Sequence, residues 1–504
     1  MASTTTQTST RVTGVRRIIV VDRLITQLSE TPVLSFLLGA LLAVGLEMYF
    51  GLNVARLVGL RRAPVLFGSI DVLENFGNLD LSGILGPLMP AGAAPAEPWA
   101  LSGRALLDVL RIFITDIPPA LLTFVQVLAY DLIVFAVPII VVGLLTKRPV
   151  RWVVSRVPFL ISLLLQLVLL YIVVRIWGSL SDYRNLVLMF IGINVIMTVS
   201  LNLINGYMGE FSVGHAAFMA VGAYISAILT MWLFTNEAVF GPAALPWVAA
   251  LPFGIGNALG FIFALFVGGL AAALVSLLVA IPSFRTRGDY LAIVTLALLF
   301  IVLSVINNLN SIGGARGLNG VPLWSTVTWV YVFTLFALLT VRNLVRSTFG
   351  KGIIAIREDE IAANLMSVNT KRVKLVAFMY SSFLAGIAGG LFGHVLAYVN
   401  PGTFGILKST EVLVMVYLGG MGSITGSVVA AVLFTILLEA LRPLGVLKWV
   451  IIPLILILLM IFRPQGLFGN REITLNWGSG RKKKDMDDQA SLMEKDASDA
   501  AITD

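Results

Sequence analysis

Residues 350–374, GKGIIAIREDEIAANLMSVNTKRVK, form the longest polar interruption in the hydrophobic second half of a 504-residue chain. Arg357, Glu358, Asp359 and Glu360 offer ion-pair chemistry to a partner in the water phase, with the small residues Ala362 and Ala363 beside them. The stretch reads as two short helices with a turn between them, neither long nor apolar enough to cross a bilayer. The first, over 351–366, sets Ile353, Ile356, Ile361 and Leu365 near one face and the charges elsewhere, and Asn364 and Asn369 suit a break. Such a segment is either a solvated connector or a handle for another protein.

A second polar cluster lies at 202–218, NLINGYMGEFSVGHAAF, between two apolar runs. Broken, polar backbone at membrane depth survives only where it is buried in protein or lines a wet cavity; a tight turn at the surface is the alternative. Asn202, Asn205, Ser212 and His215 stand here, and His215 by itself reads as a hydrogen-bonded structural residue. Asp289, in SFRTRGDY, suits the positive end of the helix that follows, as a cap or as part of a gate. Asn307 opens a glycine-rich stretch reaching Gly317, which closes over a solute, meets an external partner or is a plain flexible loop. These six residues are the candidates for lining a pathway. Ser382, Gly386, Gly390 and His394 recur at every fourth position, the spacing that lets helix backbones approach closely. Asp131 falls mid-span, where a carboxylate needs a partner or water.

Several chemistries are missing. Lys351 is followed by Gly352, so there is no phosphate-binding G-x-x-x-x-G-K-[ST] loop. No Ser/His/Asp or paired-carboxylate set suggests an enzyme. With no cysteine and two histidines, nothing points to a resident metal or cofactor.

The chain is 58% hydrophobic and 12% charged, with a mean hydropathy of +0.95. A soluble protein cannot hide that much apolar surface, so the expected class is all-α, a polytopic transmembrane helix bundle. Unbroken apolar runs exclude an outer-membrane barrel, and the net charge of +8 reflects basic residues at helix ends rather than a nucleic-acid partner. Spans are expected at 31–49, 120–145, 157–178, 184–205, 212–235, 257–282, 290–306, 327–345, 374–398 and 447–462. Two shorter pieces, 411–421 and 425–441, are split by GGMGS, which brings the total to about 11–12 membrane segments. Residues 1–30 form a polar tail, and 31–180 a membrane extension with an interfacial amphipathic helix at 102–117. Residues 471–504 form a second tail whose composition predicts disorder. Lys147, Arg148, Arg151 and Arg156 mark one cytoplasmic loop, Arg285 and Arg287 another, 350–374 a third, and 481–484 a cytoplasmic tail. Both termini then lie inside, provided the pair at 411–441 returns to its starting side as a hairpin or re-entrant loop.

Five stretches carry a resemblance: GYMGEFSVGHAAFMAVGAY (206–224), RTRGDYLAIVTLAL (285–298), AIREDEIAANLMSVNTKRVKLVAF (355–378), YLGGMGSITGSVVAA (417–431) and FRPQGLFG (462–469). In that order they resemble the M-type inner-membrane permease of the branched-chain amino-acid ABC importers, over about 183–470. The resemblance implies a bacterial inner-membrane, multi-pass subunit paired with a second permease. It further implies two cytoplasmic ATPases that bind the ATP, and a periplasmic or lipid-anchored solute-binding protein. It makes Glu360, Ala362 and Ala363 part of a coupling helix that docks on an ATPase, with Arg357 and the 358–360 cluster as ion-pair partners of its surface. Where the family has glycine in the next turn this chain has Ser367, which is expected to turn with a negative φ. Urea and short-amide importers share these motifs, so the cargo stays open between those classes. A stand-alone channel or secondary carrier would instead need functional acidic residues at mid-membrane and matching half-repeats.

Overall fold

The computed structural model describes residues 32–60, 126–234 except 128, 241–245 except 243, 255–284, 290–440, and 453, 454, 457, 461 and 466. Asp289, the interfacial helix at 102–117, Arg285, Arg287, most of 447–462 and both tails lie outside these residues. The chain divides into two compact units, one of residues 1–48, 133–173 and 473–504, the other of 49–132 and 174–472.

The smaller unit contains the start of α1 (Val33–Val58), then α2 (Val137–Leu145), α3 (Lys147–Arg156) and most of α4 (Phe159–Ser179). Leu34, Val150 and Val154 form its buried centre, with Leu38 and Leu169 against them. The basic stretch expected as a loop is the helix α3, set at 59° to the segment before it. Its arginines alternate with valine and tryptophan, so one side stays apolar while Arg156 lies over the Trp152 ring at 4.0 Å.

The larger unit is built from α5 (Asp182–Asn202), α6 (His215–Phe234), α7 (Ile255–Ser283), α8 (Tyr290–Asn308), α9 (Val327–Arg346), α10 (Thr348–Glu358), α11 (Glu360–Leu365), α12 (Thr370–Leu396), α13 (Ile406–Gly419) and α14 (Ile424–Ala440). Eight helices among the described residues are long and apolar enough to span a membrane, or nine if the bent pair before and within α3 is one span. α13 and α14 are shorter. At 1.5 Å per residue their 14 and 17 residues reach about 21 and about 26 Å, less than a hydrocarbon core of about 30 Å. They fold back on each other at 420–423, so the split pair is a hairpin, and its first limb begins at Ile406 rather than at 411.

The centre of this unit is the trio α6, α7 and α12. A Cβ on Gly222 of α6 would stand 2.1 Å from the Gly386 carbonyl oxygen of α12, and one on Gly386 would stand 2.7 Å from the Cβ of Ala272 on α7. Only glycine admits this approach, which is what the four-residue spacing on α12 foretells. At the last position of that series, His394 Nδ1 donates to the Gly390 carbonyl at 2.7 Å, leaving Nε2 to accept from Thr230 Oγ1 at 2.9 Å.

At one end of the unit the glycine-rich stretch is an ordered cap. Leu318–Asn319 (β1) pairs antiparallel with Tyr398–Val399 (β2), Leu318 opposite Val399 and Asn319 opposite Tyr398. Tyr224 of α6 donates to the Val399 carbonyl at 3.1 Å, which ties the pair to the central trio. The opposite end holds α10 and α11.

Candidate functional site

α5 does not end cleanly. It passes into a π-helical turn, Leu203–Met208, and the chain then reverses at Gly209 (φ 76°) before α6 begins at His215. Insertions of this kind re-aim side chains and recur at functional sites. All six residues of the turn are buried, while Gly209 and Phe211 reach the surface. Both sequence readings of 202–218 are therefore partly met: the break starts in the protein interior and emerges as a turn.

Polar side chains pin this break to four other helices. Asn202 donates to the Ser423 carbonyl (3.0 Å) and to Ser427 Oγ (2.8 Å), and accepts from the Gly422 amide (2.9 Å), all at the bend of the α13–α14 hairpin. Val213 donates its amide to Thr295 Oγ1 of α8 at 3.2 Å, and Ser409 Oγ of α13 donates to the Val213 carbonyl. Ser200 Oγ meets His215 Nε2 at 2.8 Å, and Ser381 of α12 donates to the Ser200 carbonyl at 2.5 Å. Asn205 accepts from the Ser212 amide at 3.2 Å. Among the described residues, Asn205 Nδ2, Ser212 Oγ and His215 Nδ1 are buried without a hydrogen-bond partner.

The charged loop sits directly on this break. Ser347 caps α10, accepting from the Gly350 amide at 3.2 Å. Asp359 then stops α10 and starts α11, its carboxylate accepting from the amides of Ile361 (2.8 Å) and Ala362 (3.0 Å). The expected single helix over 351–366 is thus two helices with the break at Asp359, since an Asp side chain competes for those amides better at a helix start than inside one. The consequence is a change of face. The four apolar residues expected on one face are divided: Ile353 and Ile356 are buried, whereas Ile361, Leu365 and the adjoining Met366 are 70%, 80% and 80% exposed. Ala362 is exposed and Ala363 buried.

The charges, too, are mostly engaged within the chain. Arg357 Nη1 donates to the Gly206 carbonyl at 3.1 Å and its Nη2 pairs with Glu358. Its stem fills the space that a Cβ on Gly209 would occupy. Lys374, 9% exposed, bridges Glu210 of the break (2.6 Å) and Glu360 of α11 (2.8 Å). All four charged side chains expected to face a partner are exposed, yet each also makes a contact inside the chain, Glu358 with Arg357. Ser367 follows with φ 65°, the left-handed region, and not the negative φ expected of a serine in that turn. The geometry there is the glycine's, kept without the glycine.

All five motifs thus meet at one end of the unit, Thr295 of the second accepting from the Val213 amide and Gly466 of the last packing within 2.6 Å (from its Cβ position) of the Gly420 backbone. A family model described as "Branched-chain amino acid transport system / permease component" matches residues 183–462, more than half of the chain. The chain belongs to this permease family.

The permease is 31% identical over 326 residues to the high-affinity branched-chain amino acid transport system permease protein LivM of Escherichia coli K12, covering 58% of this chain and 71% of that one. To the probable branched-chain amino acid transport permease protein LivM of Methanocaldococcus jannaschii it is 24% identical, over 58% of this chain and 95% of that one. A shorter match, 30% over 148 residues, joins it to LivH of Escherichia coli, 29% of this chain and 47% of that one. No solved structure matches.

Of the pathway candidates in the permease, Asn202, Asn205, Ser212 and His215 come together at the break, whereas Asn307 is exposed at the far end of α8. The sequence reading passed over the bridging role of Lys374, counted only as a positive charge, and missed Asn194, Lys408 and Glu411. Lys408 and Glu411 are an opposite-charge pair three residues apart at the head of an apolar helix. Starting that helix at 411 put Lys408 outside it and hid the signal.

Proposed function

We propose that this permease is the M-type subunit of an ATP-driven importer of branched-chain or related hydrophobic amino acids. It works beside a second permease and takes its driving force from cytoplasmic ATPases docked on α10–α11. A periplasmic or lipid-anchored binding protein would deliver the cargo. The relatives named above are named for branched-chain amino acid transport, which favours that cargo over urea or short amides. The observation that carries the docking assignment is the surface of α11: Ile361, Leu365 and Met366 stand out into solvent, while the other side of the same segment is fastened through Lys374 and Arg357 to the broken helix. Exposed apolar side chains beside charge are the makings of a protein contact. Fastened as it is, a push on α11 reaches Glu210, Gly206 and the hairpin bend without passing through a flexible linker. Coupling of this kind requires the ATPases to bind the two states of the permease with different affinity.

Asn205, Ser212 and His215, each with a buried polar atom to spare, are our candidates for the pathway side of the break. Asn202 is spent on the hairpin. The test is the double variant I361D/L365D in the complete transporter. Because both side chains are exposed, the chain should insert as before, yet ATPases should no longer co-purify and ATP-driven leucine uptake should fall by about tenfold or more, as for loss of an interface anchor. Unchanged co-purification and uptake would show the docking assignment to be mistaken.

A further inference from the structure

Lys408 and Glu411 of α13 meet at 3.0 Å, and Lys408 Nζ also donates to Asn194 Oδ1 of α5 at 3.2 Å. Asn194 in turn donates to Thr435 Oγ1 of α14 at 2.9 Å, and Thr198 Oγ1 donates to the Asn194 carbonyl at 2.7 Å. Asn194 lies next to the middle residue of the membrane-length segment Asp182–Met208, which places the charges near mid-depth. An ionised side chain there costs about 2.5–3.5 kcal/mol on insertion scales and is a functional site by default.

A fastening role accounts poorly for this pair. Its two members are on one helix, so the ion pair joins nothing to anything else; only the bond to Asn194 crosses between helices. Apolar residues in their place would hold the helices as well or better. Nor is the pair sealed, since the two side chains are 14% and 13% exposed.

We propose that Lys408, Glu411 and Asn194 form a contact site for a zwitterionic amino acid crossing the membrane. The cargo's carboxylate is taken by the Lys408 ammonium and its ammonium by the Glu411 carboxylate, with the Asn194 amide holding the lysine in place. A zwitterion entering between the two charges exchanges one ion pair for two and strands no charge. A cargo with a single charge leaves one member of the pair without a partner. This inference rests on amino acids being the cargo.

The test uses proteoliposomes carrying the full transporter, permeases, ATPases and binding protein, with radiolabelled leucine. The apolar double variant K408M/E411L is expected to co-purify with the partner permease while leucine uptake falls about tenfold or more, the loss of one or two charge-assisted contacts. Uptake within about twofold of wild type (under ~0.5 kcal/mol) would overturn the site. Should the double variant fail to assemble, the isosteric E411Q is measured against the same two limits. A wild-type transporter that moves no leucine removes the cargo reading and this site with it. Leucine moved equally well by wild type and variants removes the site alone.

Discussion

The two halves of the permease unit are held together by different physics. In the α6–α7–α12 centre, backbone lies against backbone. Gly222 and Gly389 stand where any side chain would collide with a neighbouring carbonyl, and Gly386 where one would collide with Ala272 and the Gly269 backbone, and interiors packed to that density deform little. Between α10–α11 and the break, beside the buried Ile353 and Ile356, the polar contacts run through a few side chains: Arg357 on the Gly206 carbonyl, Lys374 between two carboxylates, and, behind them, Asn202 on the hairpin bend. Long side chains change rotamer at small cost, and ion pairs re-form with new partners. The contrast describes a stiff body joined to an adjustable end, the arrangement that the proposed docking of ATPases would use.

The largest effect that would break this contrast is at the centre. G222V places side-chain atoms inside the Gly386 backbone and is expected to abolish monodisperse protein after detergent extraction, beyond the 1–3 kcal/mol of ordinary overpacking, about which a soluble core can still relax. A folded, active G222V permease would show the centre to be pliant. Next in size is Lys374. K374M leaves Glu210 and Glu360 facing each other without their cation, and we expect a stability loss of about 2 kcal/mol, read by thermal unfolding in detergent. E360Q removes only the half-exposed arm of the bridge and should cost less than about 1 kcal/mol. Equal losses for the two variants would mean that the Glu210 arm contributes nothing of its own. The smallest effect has the opposite sign. S367G relieves a non-glycine residue at φ 65° and is expected to stabilise by about 1 kcal/mol. The same shift should appear whether or not ATPases are bound if Ser367 lies outside the docking surface.

Much of the fold could be read from the chain. Long apolar runs bounded by charge gave the spans, and the small-residue series on α12 gave the close packing. Reading failed where a local choice depended on one side chain. Asp359 reads as one charge on a helix face, but it caps α11, and the break there parts Ile361 and Leu365 from the face they would share with Ile353 and Ile356. Ser367 was assigned the φ that serine prefers; the turn between α11 and α12 imposes the glycine's. For the candidate site, the polar residues of 202–218 were visible as a cluster, yet nothing local says that Asn202 meets Gly422, 220 positions away, or that Lys374 reaches back to Glu210.

What the sequence determined by itself was the solvent: so much continuous apolar surface, interrupted by charge at intervals, can only be satisfied by helices in lipid, because each helix meets its own backbone hydrogen bonds. What only the tertiary structure decided was which polar groups face one another. The pairings of Arg357 with Gly206 and of Lys374 with Glu210 join residues more than 150 positions apart, and they are fixed by helix packing and by a single cap, neither of which leaves a periodic trace in the chain.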